Sequence, residues 1–315
     1  MAVVQEAFSI NLPVGERFII QRNRHSSQIN TSNKRVSIVS GIHGDELEGQ
    51  YVCFLLNSWL EAHKEKLNGI VDIYPSVNSL GIDSINRSIP FYEVDLNRSF
   101  PGNKNDFLPA QIADGIVEAI KGSDIAVDIH SSNIFLKELP QIRISNTYAQ
   151  ELVPIAKKLN INFVWIHDAV TVLESTFAHA MNTNGTKTLV VEMGVGMRIT
   201  REYGFQLLDG ILNLLHSEGM LNDYTPKVII EPMISEQNSV VYYLNANAAG
   251  IFVPLIAHCQ HVSTGELVGK IMNPLTGAIE EEIYAPGCGM LFTLREYPVV
   301  YEGSLLARIF GSAQC

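Results

Sequence analysis

The stretch "VSIVSGIHGDELEG", residues 36–49, decides how this chain is to be read. Its first part is apolar and rich in β-branched residues, as suits a strand buried on both faces. The run stops at Gly41. His43 and Glu46 follow three residues apart, among glycines and further acids. Residues 45–62 then carry Leu47, Tyr51, Phe54, Leu55 and Trp59 at close to helical spacing. The reading is strand, sharp turn, helix, with Glu46 in the helix's first turn. A histidine and a carboxylate there have two explanations. They cap the helix, where its dipole favours acids, or they are two ligands of a metal. A catalytic zinc takes three protein ligands of nitrogen or oxygen type and keeps one position open, and HxxE supplies two.

Working outward, the same alternation continues. Strands are expected at 35–40, 70–78, 124–130, 161–167 and 186–193. Helices are expected at 45–62, 109–122, 149–159 and 201–219. Pro109 near a first turn and Gly122 past a last one fit that reading, whereas Pro154 must kink its helix or mark its start. Strands apolar on both faces, alternating with amphipathic helices, indicate an α/β sheet covered by helices. In such sheets ligands bind beyond the carboxyl ends of the strands. Residues 77–108 break the pattern with a long polar segment, and loops of that length are commonly functional.

Two other strand ends carry suitable chemistry. In "DIAVDIHSS", His130 closes a strand, and Asp128 points the same way two residues earlier. His130 is either a capping histidine or a third ligand, with Asp128 orienting it. In "TLVVEMGVG", Glu192 ends an apolar strand, a costly place for a carboxylate without a task. Such a glutamate can take a proton from an activated water and pass it to a leaving amine. The polar loop adds "NRSIPFYEVDLNRSFPG". Asn97 and Arg98 offer an amide and a guanidinium fork to a carboxylate, and Arg87 offers a cation to an oxyanion. Each arginine also has the plainer reading of a surface ion pair.

HxxE, "DLNRSFPG", "DIH" and "VVEMG", in that order, resemble the succinylglutamate desuccinylase/aspartoacylase family of the zinc carboxypeptidase superfamily, over residues 34–220. The resemblance implies a mixed sheet flanked by helices and one Zn2+ per chain. It implies ligation by His43, Glu46 and His130, with Glu192 as general base and acid and Arg87 at the oxyanion. It further implies Asn97 and Arg98 at the substrate carboxylate, and a small N-acyl amino acid or short peptide as substrate. Members acting on N-acyl aspartate and related acidic substrates carry a further arginine shortly before the catalytic glutamate. Residues 144–197 of this chain contain none. Lys187, Arg143 and Arg198 are the candidates to replace it, and a neutral or basic substrate stays open. So do a carboxypeptidase acting on small peptides or peptidoglycan fragments and, from another class, a non-catalytic binding protein on the same scaffold.

Past residue 222 the texture becomes strands punctuated by glycine and proline. "HVSTGELVGKIMNPLTGAIEEEIYAPGCGML" resembles the barrel-sandwich hybrid of lipoyl and biotinyl carriers, but "NPLTG" stands where an attachment lysine would be. A smaller all-β appendage is expected, not a carrier. The proposed division is an N-terminal β segment at 1–33, a catalytic α/β domain at 34–221 and a C-terminal all-β domain at 222–315. Two lesser features are the "HCQH" of His258, Cys259 and His261, a weak second metal candidate, and His167–Asp168 at a strand end near the site.

With 22 basic and 33 acidic residues, the formal charge of −11 argues against nucleic acid. No apolar run reaches the roughly 18–20 residues that span a bilayer, so no membrane partner is expected. "MAVVQEAFSINLPVGERF" lacks the layout of a signal peptide. Cys53, Cys259, Cys288 and Cys315 show no CxxC spacing and are read as free thiols of a cytoplasmic protein. A homo-oligomer is left open.

Overall fold

The computed structural model describes residues 3–27, 32–167, 174–235 and 239–312. In chain order the strands are β1 (Val3–Asn11), β2 (Arg17–Ser26), β3 (Arg35–Ser40), β4 (Ile70–Tyr74), β5 (Ile125–Ser131), β6 (Leu136–Ser145), β7 (Phe163–His167), β8 (Lys187–Gly194), β9 (Met233–Ile234), β10 (Ser239–Asn245), β11 (Gly250–Pro254), β12 (His261–Val262), β13 (Leu267–Asn273), β14 (Ala278–Tyr284), β15 (Gly289–Arg295), β16 (Val299–Val300) and β17 (Leu305–Ser312). The helices are α1 (Glu48–Ala62), α2 (Ser79–Asp83), α3 (Leu108–Ile120), α4 (Ala149–Ala156), α5 (Phe177–Thr183) and α6 (Arg201–Ser217).

The centre of the molecule is a mixed sheet in the order β1-β2-β4-β3-β5-β8-β6-β15-β17-β10. β4, β3, β5 and β8 run parallel, and β2 and β6 join them antiparallel. Period-two alternation splits each central strand between two cores. Val36 and Ile38, Ile125, Val127 and Ile129, and Leu189, Val191 and Met193 face one core. That core also holds Val52, Leu56 and Leu60 of α1 and Leu207, Ile211 and Leu215 of α6. Val39 and Ala126 face the other, against Ile112 and Ile116 of α3 and Phe177 and Met181 of α5. Helices therefore cover both faces, which is why the central strands read as unbroken apolar runs.

A separate antiparallel sheet, β14-β13-β11-β16, lies in the C-terminal segment. Its core includes Phe252, Val268 and Ile271. The same segment also extends the central sheet, because β15 pairs with β6 through Thr293↔Glu138 and with β17 through Thr293↔Arg308.

Several elements differ from expectation. The first helix starts at Glu48, so Glu46 sits in the preceding turn. The polar stretch 77–108 contains α2 and a 3-10 turn at Leu96–Arg98. Pro154 lies inside α4. β6 and α5 are additional to the expected elements. Cys53 and Cys259 carry free thiols, but Cys288 is disulfide-bonded, which corrects the expectation of a free thiol there. Cys315 lies outside the described residues. Among the described residues no helix is long and apolar enough to cross a membrane.

Candidate active site

β3, β5 and β8 are neighbours, so their carboxyl ends deliver three side chains to one place. His43 follows β3, His130 lies near the end of β5, and Glu192 is the register partner of His130 on β8. On β5, Val127 and Ile129 point into the first core, so Asp128 and His130 take the opposite face and line a cavity. The turn between β3 and α1 needs its glycines. Gly41 has φ +73, and a Cβ on Gly44 would lie 2.0 Å from the backbone carbon of Gly81.

His43, Glu46 and His130 are buried, at 3%, 4% and 4% exposure, and present ligand atoms all within 4.8 Å of one another. His43 Nδ1 lies 2.8 Å from Glu46 Oε1, and His130 Nδ1 lies 3.0 Å from Glu46 Oε2. The opposite ring nitrogens are committed elsewhere. His43 Nε2 meets Asp95 Oδ1 at 2.9 Å, and His130 Nε2 meets Asp128 Oδ2 at 2.9 Å. A carboxylate only accepts, so each Nε2 carries a hydrogen and each Nδ1 turns to the centre. Ser131 N–H also donates to Glu46 Oε2, at 3.0 Å.

The electrostatics suit a cation. Burial works against charge on His43 and His130. The charge of Glu46 and the bond to Asp95 nevertheless push His43 up, and Asp128 and Glu46 push His130 well up. Burial likewise opposes ionisation of Glu46, yet both histidines hold it well below the usual carboxylate range. Asp95 is held low against its burial by His43 and Arg87. Three carboxylates thus surround two imidazoles, and two nitrogens plus a carboxylate oxygen converge on one point. The donor set fits a divalent ion with nitrogen and oxygen preference, zinc first among them.

Arg87 is partly buried and donates to Glu46 Oε1 at 2.7 Å and to Asp95 Oδ2 at 3.4 Å. Asn97 accepts the Phe177 N–H on Oδ1 at 2.9 Å, which fixes the amide and turns its donor end the other way. Arg98 is exposed, with Nη1 on the Asn97 carbonyl at 2.8 Å. Glu192 is raised by burial, and the nearby charges of Arg143 and His130 limit the rise. Arg87, Asn97, Arg98 and Glu192, with His43, Glu46 and His130, line one cavity of about 480 Å³.

The same cavity receives arginines from outside residues 144–197. Arg143 of β6 and Arg308 of β17 both line it. Arg198 is instead exposed, 3.8 Å from Glu296, and Lys187 is exposed at the start of β8. His167 lines the cavity too, while Asp168 lies outside the described residues. "HCQH" gathers no metal set among the described residues. His258 Nε2 donates to the Phe292 carbonyl, Nδ1 faces Cys259 Sγ at 3.2 Å, and His261 pairs in β12. Sequence reasoning missed Asp95, although it stands in the quoted "DLNR", and Glu138 and Arg308, which carry no local signal.

Fold and site together define an α/β protein with a candidate metal centre at the carboxyl ends of neighbouring parallel strands. The family model of the succinylglutamate desuccinylase/aspartoacylase catalytic domain matches residues 32–217, and the chain belongs to that family. It is 24% identical over 279 residues to the N-alpha-acetyl-L-2,4-diaminobutyric acid deacetylase of Halomonas elongata, covering 86% of this chain and 80% of that one. Its fold matches the crystal structure of a succinylglutamate desuccinylase/aspartoacylase from Rhodobacter sphaeroides, with a TM-score of 0.80, 23% identity and coverage of 98% and 95% of the two chains. It also matches the product-bound structure of the ectoine utilization protein EutE (DoeB) from Ruegeria pomeroyi, with a TM-score of 0.81, 19% identity and coverage of 98% and 94%.

Proposed function

We propose that this protein is a zinc-dependent hydrolase that cleaves the amide bond of a small N-acyl amino acid, with one ion per chain. The observation that carries the reading is the convergence of His43 Nδ1, Glu46 and His130 Nδ1, with both Nε2 atoms tied to carboxylates. The diaminobutyrate deacetylase relative points to the same reaction class. When bound, zinc supplies a Lewis acid that polarises the scissile carbonyl and lowers the pKa of water.

The chain's own residues supply the remainder. Asp95 and Asp128 hold the two imidazoles in the tautomer that ligates. Glu192, facing the same cavity, takes the proton of the attacking water and returns it to the leaving amine. Arg87 stabilises the oxyanion, swinging from its partners on Glu46 and Asp95. Asn97, braced by Phe177, and the exposed Arg98 receive the substrate carboxylate. A cytoplasmic location belongs to the proposal: the free thiols of Cys53 and Cys259 suit a reducing compartment, while the disulfide at Cys288 runs against it.

Metal analysis coupled to a screen of N-acyl amino acids, with released amine as readout, tests this. Stoichiometric zinc and its loss in His43→Ala are expected. Full hydrolytic activity in chelator-treated, metal-free protein would overturn the reading.

A further inference from the structure

We propose that Arg308, in the last strand of the chain, is a positioning residue for Glu192, acting through Glu138 and Arg143. The C-terminal segment thereby completes the active site. Register puts the pieces in line. Glu138 on β6 pairs with Thr293 on β15, and Thr293 pairs with Arg308 on β17. Strands lie about 4.8 Å apart, so Glu138 and Arg308 are separated by two strand spacings, a gap a long guanidinium side chain can bridge. Arg308 Nη1 reaches Glu138 Oε1 at 2.9 Å.

Glu138 is buried at 1% exposure and held by several donors. Thr293 Oγ1 donates to its Oε2 at 3.1 Å, the Gln141 amide donates to the same oxygen, and Arg143 Nη2 lies 3.2 Å from its Oε1. Arg143 then spans the remaining distance, with Nη1 3.3 Å from Glu192 Oε1. Both guanidiniums also lie over the Trp165 ring, at 5.6 Å for Arg143 and 5.5 Å for Arg308. Trp165 therefore limits their movement perpendicular to its plane.

The consequence follows from the chemistry of the buried carboxylate. Glu138 accepts from both arginines, and each arginine neutralises part of its charge. Without Arg308, Oε1 of Glu138 keeps Arg143 as its cation while Oε2 keeps its neutral donors, and the Arg143 guanidinium is pulled toward Glu138 and away from Glu192. A base displaced by about 1 Å can cost on the order of 10²-fold in rate. Arg308 lines the cavity but does not touch Glu192, so in the relay its removal acts on turnover, and a rise in KM without a fall in kcat would overturn the relay by placing Arg308 on the substrate.

The kinetic test rests on the hydrolase reading above. Arg308→Gln is expected to lower kcat about 10- to 100-fold with KM changed by less than about threefold. Arg308→Lys, which keeps charge but loses the planar fork, should recover part of the loss. Arg308→Gln combined with Arg143→Gln should be no slower than Arg143→Gln alone, because both act on one chain of contacts. Zinc content should stay at the wild-type level throughout. Unchanged kcat in Arg308→Gln, or multiplicative losses in the double variant, would overturn the relay. Should Arg308→Gln fail to fold, Thr293→Val removes one donor from Glu138 and should lower kcat in the same direction by a smaller factor. Should the wild-type protein hydrolyse no N-acyl amino acid, the hydrolase reading fails by itself. The relay is then decided by a crystal structure of Arg308→Gln: Arg143 shifted off Glu192 supports it, and Arg143 in its wild-type place refutes it.

Discussion

Asp95 Oδ1 lies 2.9 Å from His43 Nε2, and so decides which nitrogen of His43 faces Glu46 and His130. Asp95 also accepts from Arg87 and from the Asn97 N–H, at 3.4 and 2.8 Å. One carboxylate therefore ties the His43–Glu46–His130 cluster to Arg87 and Asn97 of the polar loop. Replacing it with alanine frees the His43 ring to rotate and to take the other tautomer. The expected result for Asp95→Ala is about 10- to 100-fold weaker zinc binding, measured by competition with a chromophoric chelator. Asp95→Asn can still accept from Nε2–H, so it should fall between wild type and Asp95→Ala. Equal affinity in all three would remove Asp95 from the metal site.

The acid limb of the rate profile should report Glu192. In the proposed mechanism its active form is ionised, and burial raises its pKa above the ordinary carboxylate value, with Arg143 and His130 limiting the rise. A raised pKa means the carboxylate protonates sooner as pH falls. kcat/KM should therefore begin to drop at a higher pH than an exposed glutamate would give. Glu192→Gln should remove that limb and lower kcat by about 10²- to 10⁴-fold while zinc remains bound. Retained turnover with the limb intact would assign proton transfer elsewhere.

Asn97 offers a test of the substrate carboxylate subsite. Phe177 N–H occupies its Oδ1 at 2.9 Å. Asn97→Asp can keep that bond but replaces the amide donor with an acceptor. For a carboxylate-bearing substrate the outcome is repulsion where there was attraction. KM should rise at least about tenfold, roughly the 1.4 kcal/mol of one lost hydrogen bond to a charged group. The corresponding substrate amide should be affected much less, and equal effects on the acid and its amide would place the carboxylate elsewhere.

How much of this was legible in the sequence depended on distance along the chain. β3, β5 and β8 are buried on both faces and carry few polar side chains before their ends, so His43, His130 and Glu192 stood out as exceptions. β6 did not. It buries Glu138 and Gln141, and such residues read as loop until their partners are known. Those partners, Thr293 and Arg308, are 155 and 170 residues away. Asp95 was visible within "DLNR", but its role required a contact across 52 residues. The missing arginine of residues 144–197 was a true observation with an incomplete consequence: Arg143 and Arg308 enter the same cavity from a strand just before that window and from the last strand. Local pattern located the ends of the central strands. Pairing across the sheet decided what else meets there.

Gly44 tests whether the opening turn is set by packing rather than by the metal. It stands between His43 and Glu46, just after Ile42 of the second core, and its N–H donates to the Asn86 carbonyl at 3.1 Å. A Cβ there would lie 2.0 Å from the Gly81 carbon and 2.3 Å from its oxygen. Both atoms are backbone, so no rotamer change can make room, and either the 43–46 turn or α2 must move. Gly44→Ala should therefore cost about 1–3 kcal/mol of stability, the range for forced overpacking, read by denaturant titration of the metal-free protein. Displacing the turn also shifts His43 relative to His130, so zinc affinity should fall in the same variant. A loss of zinc affinity with unchanged metal-free stability would mean that the turn is soft and the ion itself organises it. Loss of both means that the fold presents His43 and Glu46 in place before any ion arrives.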